Sequence, residues 1–280
     1  MPNKTAPAVD QYAVLGNPIT HSQSPFLHTV FAAQTGQHLQ YRAMLVELDQ
    51  FEAKLRQFIE EGASGANITV PFKIDAYDIC DELTPRAAAA AAVNTMTFVD
   101  GQIIGDNTDG YGLVRDIVIN AEVELQGKRI LLLGAGGAAR GVILPLLECH
   151  PAEFTIANRN SDKARQLANE FKQYGKIITS EFSALKTGYD VIINATSSSL
   201  AAERPDIPDA AFKANTLAYD MMYASHPTPF MEHAAAHHAV ARDGWGMLVE
   251  QAAEAFFVWR GVRPDTDNLL AKVHLHGNQQ

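Results

Sequence analysis

The sequence predicts an α/β protein of two domains, and three observations carry that reading. From residue 12 onward, short apolar runs alternate with stretches of helical period, the rhythm of strands joined by crossover helices over a largely parallel sheet. Near mid-chain a glycine-rich turn lies between an apolar strand and a helical stretch, as in Rossmann units. The 280 residues suit two cores rather than one, at roughly 150 residues per domain.

In the first half, strands are expected at 12–15, 41–46, 66–70, 93–99 and 102–104. Helices are expected at 25–35, 50–61, 73–80 and the alanine run 87–92, with another opening at Asp109. Asp100-Gly101 joins the fourth and fifth strands and suits a two-residue hairpin turn. A second series begins at Lys128, with strands at 129–133, 153–157, 176–178, 190–194, 216–219 and 239–242. Helices at 137–147, 161–174 and 229–236 fall between some of them. The tail, 246–258 and 264–274, is helical with no strand after it, so it is expected to return and cover the first domain. The division is therefore 1–108 plus 247–280 as a substrate-binding and catalytic α/β domain with a mostly parallel sheet, and 109–246 as a Rossmann-type cofactor domain.

Composition narrows the function classes. Hydrophobic residues at 47% and charged residues at 19% describe a chain that folds throughout. A net charge of -10 disfavours a broad nucleic-acid-binding face, which needs Lys and Arg against phosphates, so an anionic ligand must be held by local groups. The two cysteines, Cys80 and Cys149, have apolar neighbours and read as free thiols of a reducing compartment. The first ten residues lack a basic-then-apolar leader, and no apolar run approaches the ~20 residues of a membrane span. The expected location is the cytoplasm.

The turn Gly134-Ala135-Gly136-Gly137-Ala138-Ala139 follows strand 129–133 directly and opens a helix, which is GxGxxA in its required context. Gly134 permits the tight turn, Gly136 admits a pyrophosphate to the backbone, and Ala139 lets helix and strand pack closely. Free N–H groups at the helix start then hold the phosphates. At the end of the next strand, where an acidic residue would bind the ribose 2′-hydroxyl of NAD, stand Asn158 and Arg159, with Lys163 one turn later. A guanidinium pairs with a 2′-phosphate, so the preferred cofactor is NADP.

Three segments of the first half place polar residues at strand ends, where ligands of α/β sheets collect. They are 16–25 (GNPITHSQSP), 67–73 (NITVPFK) and 105–110 (GDNTDG). Ser22 and Ser24 precede Pro25, so Ser24 is expected to cap a helix, and the same hydroxyls and N–H groups suit a carboxylate. Lys73 and Asp109 each stand at a turn before a helix, and taken singly each reads as a solvated charge.

These segments, with Ala92-Val93-Asn94-Thr95, 134–141, Asn158-Arg159, Asn194-Ala195-Thr196-Ser197 and 244–252 (GWGMLVEQA), occur in an order that resembles the shikimate dehydrogenase family from about residue 12 to 260. The resemblance implies that Lys73 and Asp109 form the catalytic pair. It implies that Ser22, Ser24, Asn67, Thr69, Asn94, Tyr223 and Gln251 hold the substrate. It adds Thr196, Ser197, Met221, Gly244 and Met247 to the glycine turn, Asn158, Arg159 and Lys163 around NADP. Reversible NADPH-dependent reduction of 3-dehydroshikimate to shikimate is the expected reaction. The family commonly has Gly where this chain has Ala92 and Ser199, and Asn-Pro where it has Ala224-Ser225.

Two alternatives are weaker. A quinate/shikimate enzyme of broader specificity would be signalled by an acidic residue at position 158, which is Asn here, and a non-catalytic NADP-binding regulator is disfavoured by the presence of both Lys73 and Asp109. His233 and His237 are spaced i, i+4, but no HExxH glutamate follows and no Cys or carboxylate cluster adjoins them in sequence, so no metal is expected. Partners are limited to the small-molecule substrate, without nucleic acid or membrane, in a monomer or homodimer.

Overall fold

Asp10–Gly16 (β1) is buried over its last five residues because it lies inside a sheet with a neighbour on each side. Both neighbours, Leu39–Leu45 (β2) and Ala63–Ile68 (β3), run parallel to it. β3 continues antiparallel to Thr95–Val99 (β5), which turns back on Gln102–Asp106 (β6), and β6 carries the two-residue strand Glu82–Leu83 (β4) at its far edge. The order β2-β1-β3-β5-β6-β4 makes a mixed sheet. At the hairpin tip Asp100 and Gly101 have φ of 51° and 78°, the left-handed pair that a type I′ turn requires. The strand expected from Val93 starts at Thr95, because the Val93 and Asn94 amides donate to the carbonyls of Lys73 and Asp106.

The computed structural model describes residues 9–185, 188–196, 198 and 203–271. They form two compact units, 9–108 with 252–266 and 109–251 with 267–271. In the first, Ser24–Thr35 (α1), Phe51–Glu60 (α2), Lys73–Asp78 (α3) and Pro85–Ala90 (α4) accompany the sheet. Leu15, Leu55, Phe58, Ile68, Phe72 and Met96 belong to its core. The alanine helix starts earlier than expected, because Thr84 Oγ1 caps it by accepting from the Ala87 amide, and it stops at Ala91, whose φ is 45°. Residues 252–260 are the end of the long helix Trp245–Arg260 (α9). There Trp259 donates to the Met96 carbonyl at 3.0 Å and lies on Tyr12, with ring centroids 4.5 Å apart. A Cβ at Gly65 would come within 2.8 Å of that indole, so glycine in β3 admits the helix.

The second unit opens with Asp109–Arg115 (α5), which continues as a π-turn over Asp116–Asn120. Its sheet holds Arg129–Leu133 (β7), Glu153–Ala157 (β8), Ile178–Ser180 (β9), Val191–Asn194 (β10), Leu217–Asp220 (β11) and Val240–Arg242 (β12). All pairs are parallel in the order β12-β11-β10-β7-β8-β9, which is the doubly wound order, reversing between β7 and β10. The helices are Gly137–Glu148 (α6), Ser161–Glu170 (α7), Pro229–Ala236 (α8) and the short Asp267–Ala271 (α10).

The division falls at 251/252, not at the expected 246/247, because the first turns of α9 are locked into the second unit. Met247 N–H donates to Tyr219 Oη, and a Cβ on Gly246 would lie 1.9 Å from the Asp116 carboxylate. α10 also groups with the second unit rather than the first, as Trp245 Nε1 donates to the Leu269 carbonyl. Among the described residues no helix is long and apolar enough to cross a membrane.

Candidate functional site

In the first unit the candidate substrate residues Asn67 and Asn94 are joined by buried hydrogen bonds. Ser24, in the first turn of α1, is buried and stands near the Tyr41 phenol of β2. Tyr41 donates to Asn67 Oδ1 at 2.7 Å. Burial pushes the phenol well above its ordinary range, so it stays a neutral donor. Asn67 Nδ2 donates to the Asn94 carbonyl at 3.1 Å and to Thr95 Oγ1 at 3.0 Å. Asn94 Oδ1 accepts from the Thr108 amide at 2.8 Å, and its Nδ2 donates to Thr108 Oγ1 at 3.0 Å. A continuous chain, Tyr41–Asn67–Asn94–Thr108, thus ties three motifs distant in sequence.

Ser24 is not the N-cap that was expected. Gln23 holds that position without a side-chain cap, and Ser22 Oγ accepts only a long 3.4 Å bond from the Ser24 amide. Thr69 follows β3 and packs against the end of β1, where a Cβ on Gly16 would lie 2.4 Å from its methyl. Lys73 opens α3 with its carbonyl accepting from the Val93 amide at 2.8 Å, which sets it beside the segment that carries Asn94.

Asp106, two residues before Thr108, is gripped bidentately by Arg86 at 2.6 Å from each nitrogen, and also accepts from Thr84 Oγ1 and the Asn107 amide. Burial alone would raise its carboxyl, but the Arg86 hydrogen bonds and charge outweigh this and hold it below the usual range. Arg86 reaches Glu254 at 2.9 Å, which also meets Arg263. No local signal reveals these partners, since Arg86 and Glu254 are 168 positions apart. At Ala92 the family glycine is not needed for backbone freedom: the left-handed residue is Ala91.

In the second unit Asp109 is the first residue of α5 and is buried, 5% exposed. Gly134, directly after β7, has φ of 107°, a conformation open to glycine, and its amide donates to the Ala157 carbonyl. A Cβ there would crowd the Ala195 carbonyl at 3.1 Å. Gly136 stands at the N-cap position of α6 with no side-chain cap, and a Cβ on Gly136 or Gly137 meets open space. Their side-chain-free backbone therefore faces a cradle rather than protein. A cavity of about 380 Å³ adjoins it, lined by Ala135, Gly136, Asn158, Arg159, Asn160 and Lys163. Open N–H groups at one end and two cations at the other fit a dinucleotide with a 2′-phosphate. Asn160, which sequence reasoning missed, caps α7 through the Asp162 amide and accepts from Asn158 Nδ2. Ala138 lies in the first turn of α6.

Most of the remaining candidates gather around β10 and β11. Asn194 Oδ1 accepts from the amide and hydroxyl of Thr196, and its carbonyl accepts from the Met221 amide. Asp220 accepts from Asn194 Nδ2, Thr228 Oγ1 and the Met222 amide. Gly244 is obligatory, since a Cβ would lie 2.2 Å from the Met221 carbonyl. Tyr223 meets Trp245 edge-on at 6.0 Å, and Gln251 Nε2 donates to the Leu248 carbonyl. Ser197 and Ser199 lie outside the described residues. Beneath this region Asp116, fully buried, binds Arg242 through two bonds of 2.6 and 2.7 Å and accepts from Tyr219 and Asn120, a network invisible in the sequence.

Comparison with known proteins accounts for this organisation. Profiles for the shikimate dehydrogenase substrate binding domain, shikimate / quinate 5-dehydrogenase and the shikimate 5'-dehydrogenase C-terminal domain match residues 14–96, 117–220 and 244–273. The shikimate dehydrogenase (NADP(+)) of Janthinobacterium sp. (strain Marseille) is 57% identical over 92% of this chain and 94% of its own. The structure of an Ael1 enzyme from Pseudomonas putida matches with a TM-score of 0.89 at 46% identity, covering 94% of this chain and 98% of that one. Shikimate 5-dehydrogenase from Thermus thermophilus, solved in complex with NADP(H) and shikimate, matches at 0.86 and 30% identity over 96% and 100%. With both halves and the tail matched in order, the chain belongs to the shikimate dehydrogenase family.

Proposed function

We propose that this protein catalyses the reversible NADPH-dependent reduction of 3-dehydroshikimate to shikimate, with Lys73 and Asp109 as its catalytic residues. The observation that carries the reading is the hydrogen-bond chain from Tyr41 to Thr108, because it gathers the polar residues of three separate motifs around the strand ends next to Lys73. Ser22, Ser24, Asn67, Thr69 and Asn94, with Tyr223 and Gln251, bind the carboxylate and hydroxyls of the ring acid. Ser22 and Ser24 stand at the start of α1, where N–H groups favour an anion.

NADPH, when bound, supplies the hydride. The backbone of Gly134–Ala138 holds its pyrophosphate, Asn158, Arg159 and Lys163 its adenosine 2′-phosphate end, and Thr196, Ser197, Met221, Gly244 and Met247 the nicotinamide side. Lys73 as an ammonium donates a proton to the ketone oxygen and stabilises the negative charge that develops there, worth ~10²–10⁴-fold in rate. Asp109 accepts from the neighbouring hydroxyl and orients the lysine. Lys73→Ala should lower kcat ~100-fold or more with KM for shikimate little changed, measured by absorbance at the reduced-nicotinamide band. A near-normal kcat would remove Lys73 from the mechanism.

A further inference from the structure

A second cluster of chemically capable side chains lies in the cofactor unit, on α8 and a short turn before it in sequence. His233 sits in α8 and His237 one turn later, just past the helix end, so both rings project from one face. The carboxylate missing from the local sequence comes from Asp209, 24 positions before His233, which opens a short 3₁₀ turn, Asp209–Ala211. Asp209 Oδ1 lies 3.2 Å from His233 Nε2, and Oδ2 lies 3.4 Å from His237 Nε2. One ligand atom from each residue falls within 4.8 Å of the others. Ligands at 2.0–2.2 Å on a tetrahedral ion are separated by about 3.3–3.6 Å, so the carboxylate-to-imidazole spacings are near those of a filled site.

The tautomers and rings are also prepared. His237 Nδ1 lies 2.8 Å from the His233 carbonyl and donates to it, which leaves Nε2 as a lone-pair donor in the arrangement typical of metal-bound imidazoles. Phe212 holds both rings, stacked on His237 at 5.7 Å and edge-on to His233 at 5.5 Å. His233 Nε2 is buried, and although an Asp209 oxygen lies 3.2 Å away, the two do not make a well-formed hydrogen bond, a geometry that suits a bridging ion better than a direct bond. An adjoining cavity of about 710 Å³ offers Glu203, Asp206 and Glu232 against Arg204, a net acidic rim with room for a water ligand.

We propose that Asp209, His233 and His237 bind one zinc-type divalent transition ion, completed by water, which clamps the 3₁₀ turn to the end of α8. The test uses the full chain, stripped with a chelator and titrated with Zn²⁺ alone by calorimetry, and with Co²⁺ followed by visible absorption. The expected result is one equivalent bound, with the intense bands of four-coordinate cobalt and a raised melting temperature. Asp209→Asn, at an exposed position, and His237→Gln should each weaken zinc binding by ~100-fold or more, beyond the ~10–100-fold typical of lost outer-shell partners. Dehydrogenase turnover of each variant reports that it is folded. Replacing the tail histidines His274 and His276 with Gln should leave the titration unchanged. Failure to bind one equivalent would overturn the proposal, as would binding that survives both ligand substitutions or disappears with the tail histidines.

Discussion

His28 allows a sharp test of how the substrate unit is held together. Its ring is fully buried, stacked on Tyr41 at 4.1 Å and 4°, edge-on to Phe31, and close to Phe256 and Trp259. Burial drives its pKa from 6.5 down to about 3, a fall that nearby Asn67 only partly opposes. Between these values the unfolded chain binds a proton that the folded chain refuses, so stability falls as pH falls through this window and is fully present above about 6.5. Each pH unit is worth about 1.4 kcal/mol, so going from pH 6.5 to 5 should cost roughly 2 kcal/mol from this residue alone. Phenylalanine keeps the stacking surface and has no proton to refuse. Urea denaturation at pH 7.5, 6.5, 5.5 and 4.5 should show the wild-type midpoint dropping away from that of His28→Phe on the acid side. Parallel curves for the two proteins would refute the reasoning, and so would a variant more acid-sensitive than the wild type.

Three further outcomes are expected. Arg159→Ala removes a charge-assisted pair to the 2′-phosphate, worth about 1.5 kcal/mol at an exposed site, so KM for NADPH should rise about tenfold while KM for NADH stays put; equal losses with both would reject the assignment. Arg242→Leu leaves the Asp116 carboxylate buried without its cation and should destabilise by about 3–5 kcal/mol, read as a large fall in melting temperature, whereas a change below about 1 kcal/mol would show the pair to be dispensable. Gly134→Ala forces an L-residue to a φ of 107° against the Ala195 carbonyl, costing about 1–3 kcal/mol and weakening NADPH binding; calorimetry with unchanged affinity would contradict the cradle.

What was legible in the chain was what is local. The glycine turn, the Asp100-Gly101 hairpin and the strand-end Arg159 each depend on a few adjacent residues, and the structure places each on the expected element. Elements with little local signal were missed or misplaced. β4 has two residues and exists because it pairs with β6, and the foot of α9 joins the second unit only because glycine lets it approach Asp116. The polar networks were hidden for the same reason: Arg242 and Asp116 stand 126 positions apart, and Tyr41 reads as an ordinary strand tyrosine until Asn67 meets it. His233 and His237 were visible as a spacing, but Asp209 becomes their neighbour only through the fold.

The networks also sort the acids of the molecule by the work each is able to do. Asp106 is engaged by Arg86, Thr84 and the Asn107 amide, Asp116 by Arg242, Tyr219 and Asn120, and Asp220 by Thr228, Asn194 and the Met222 amide. A proton or a substrate hydroxyl brought to any of these would have to displace bonds that hold the surrounding backbone, at about 1–3 kcal/mol for each buried group left unsatisfied. They are therefore structural.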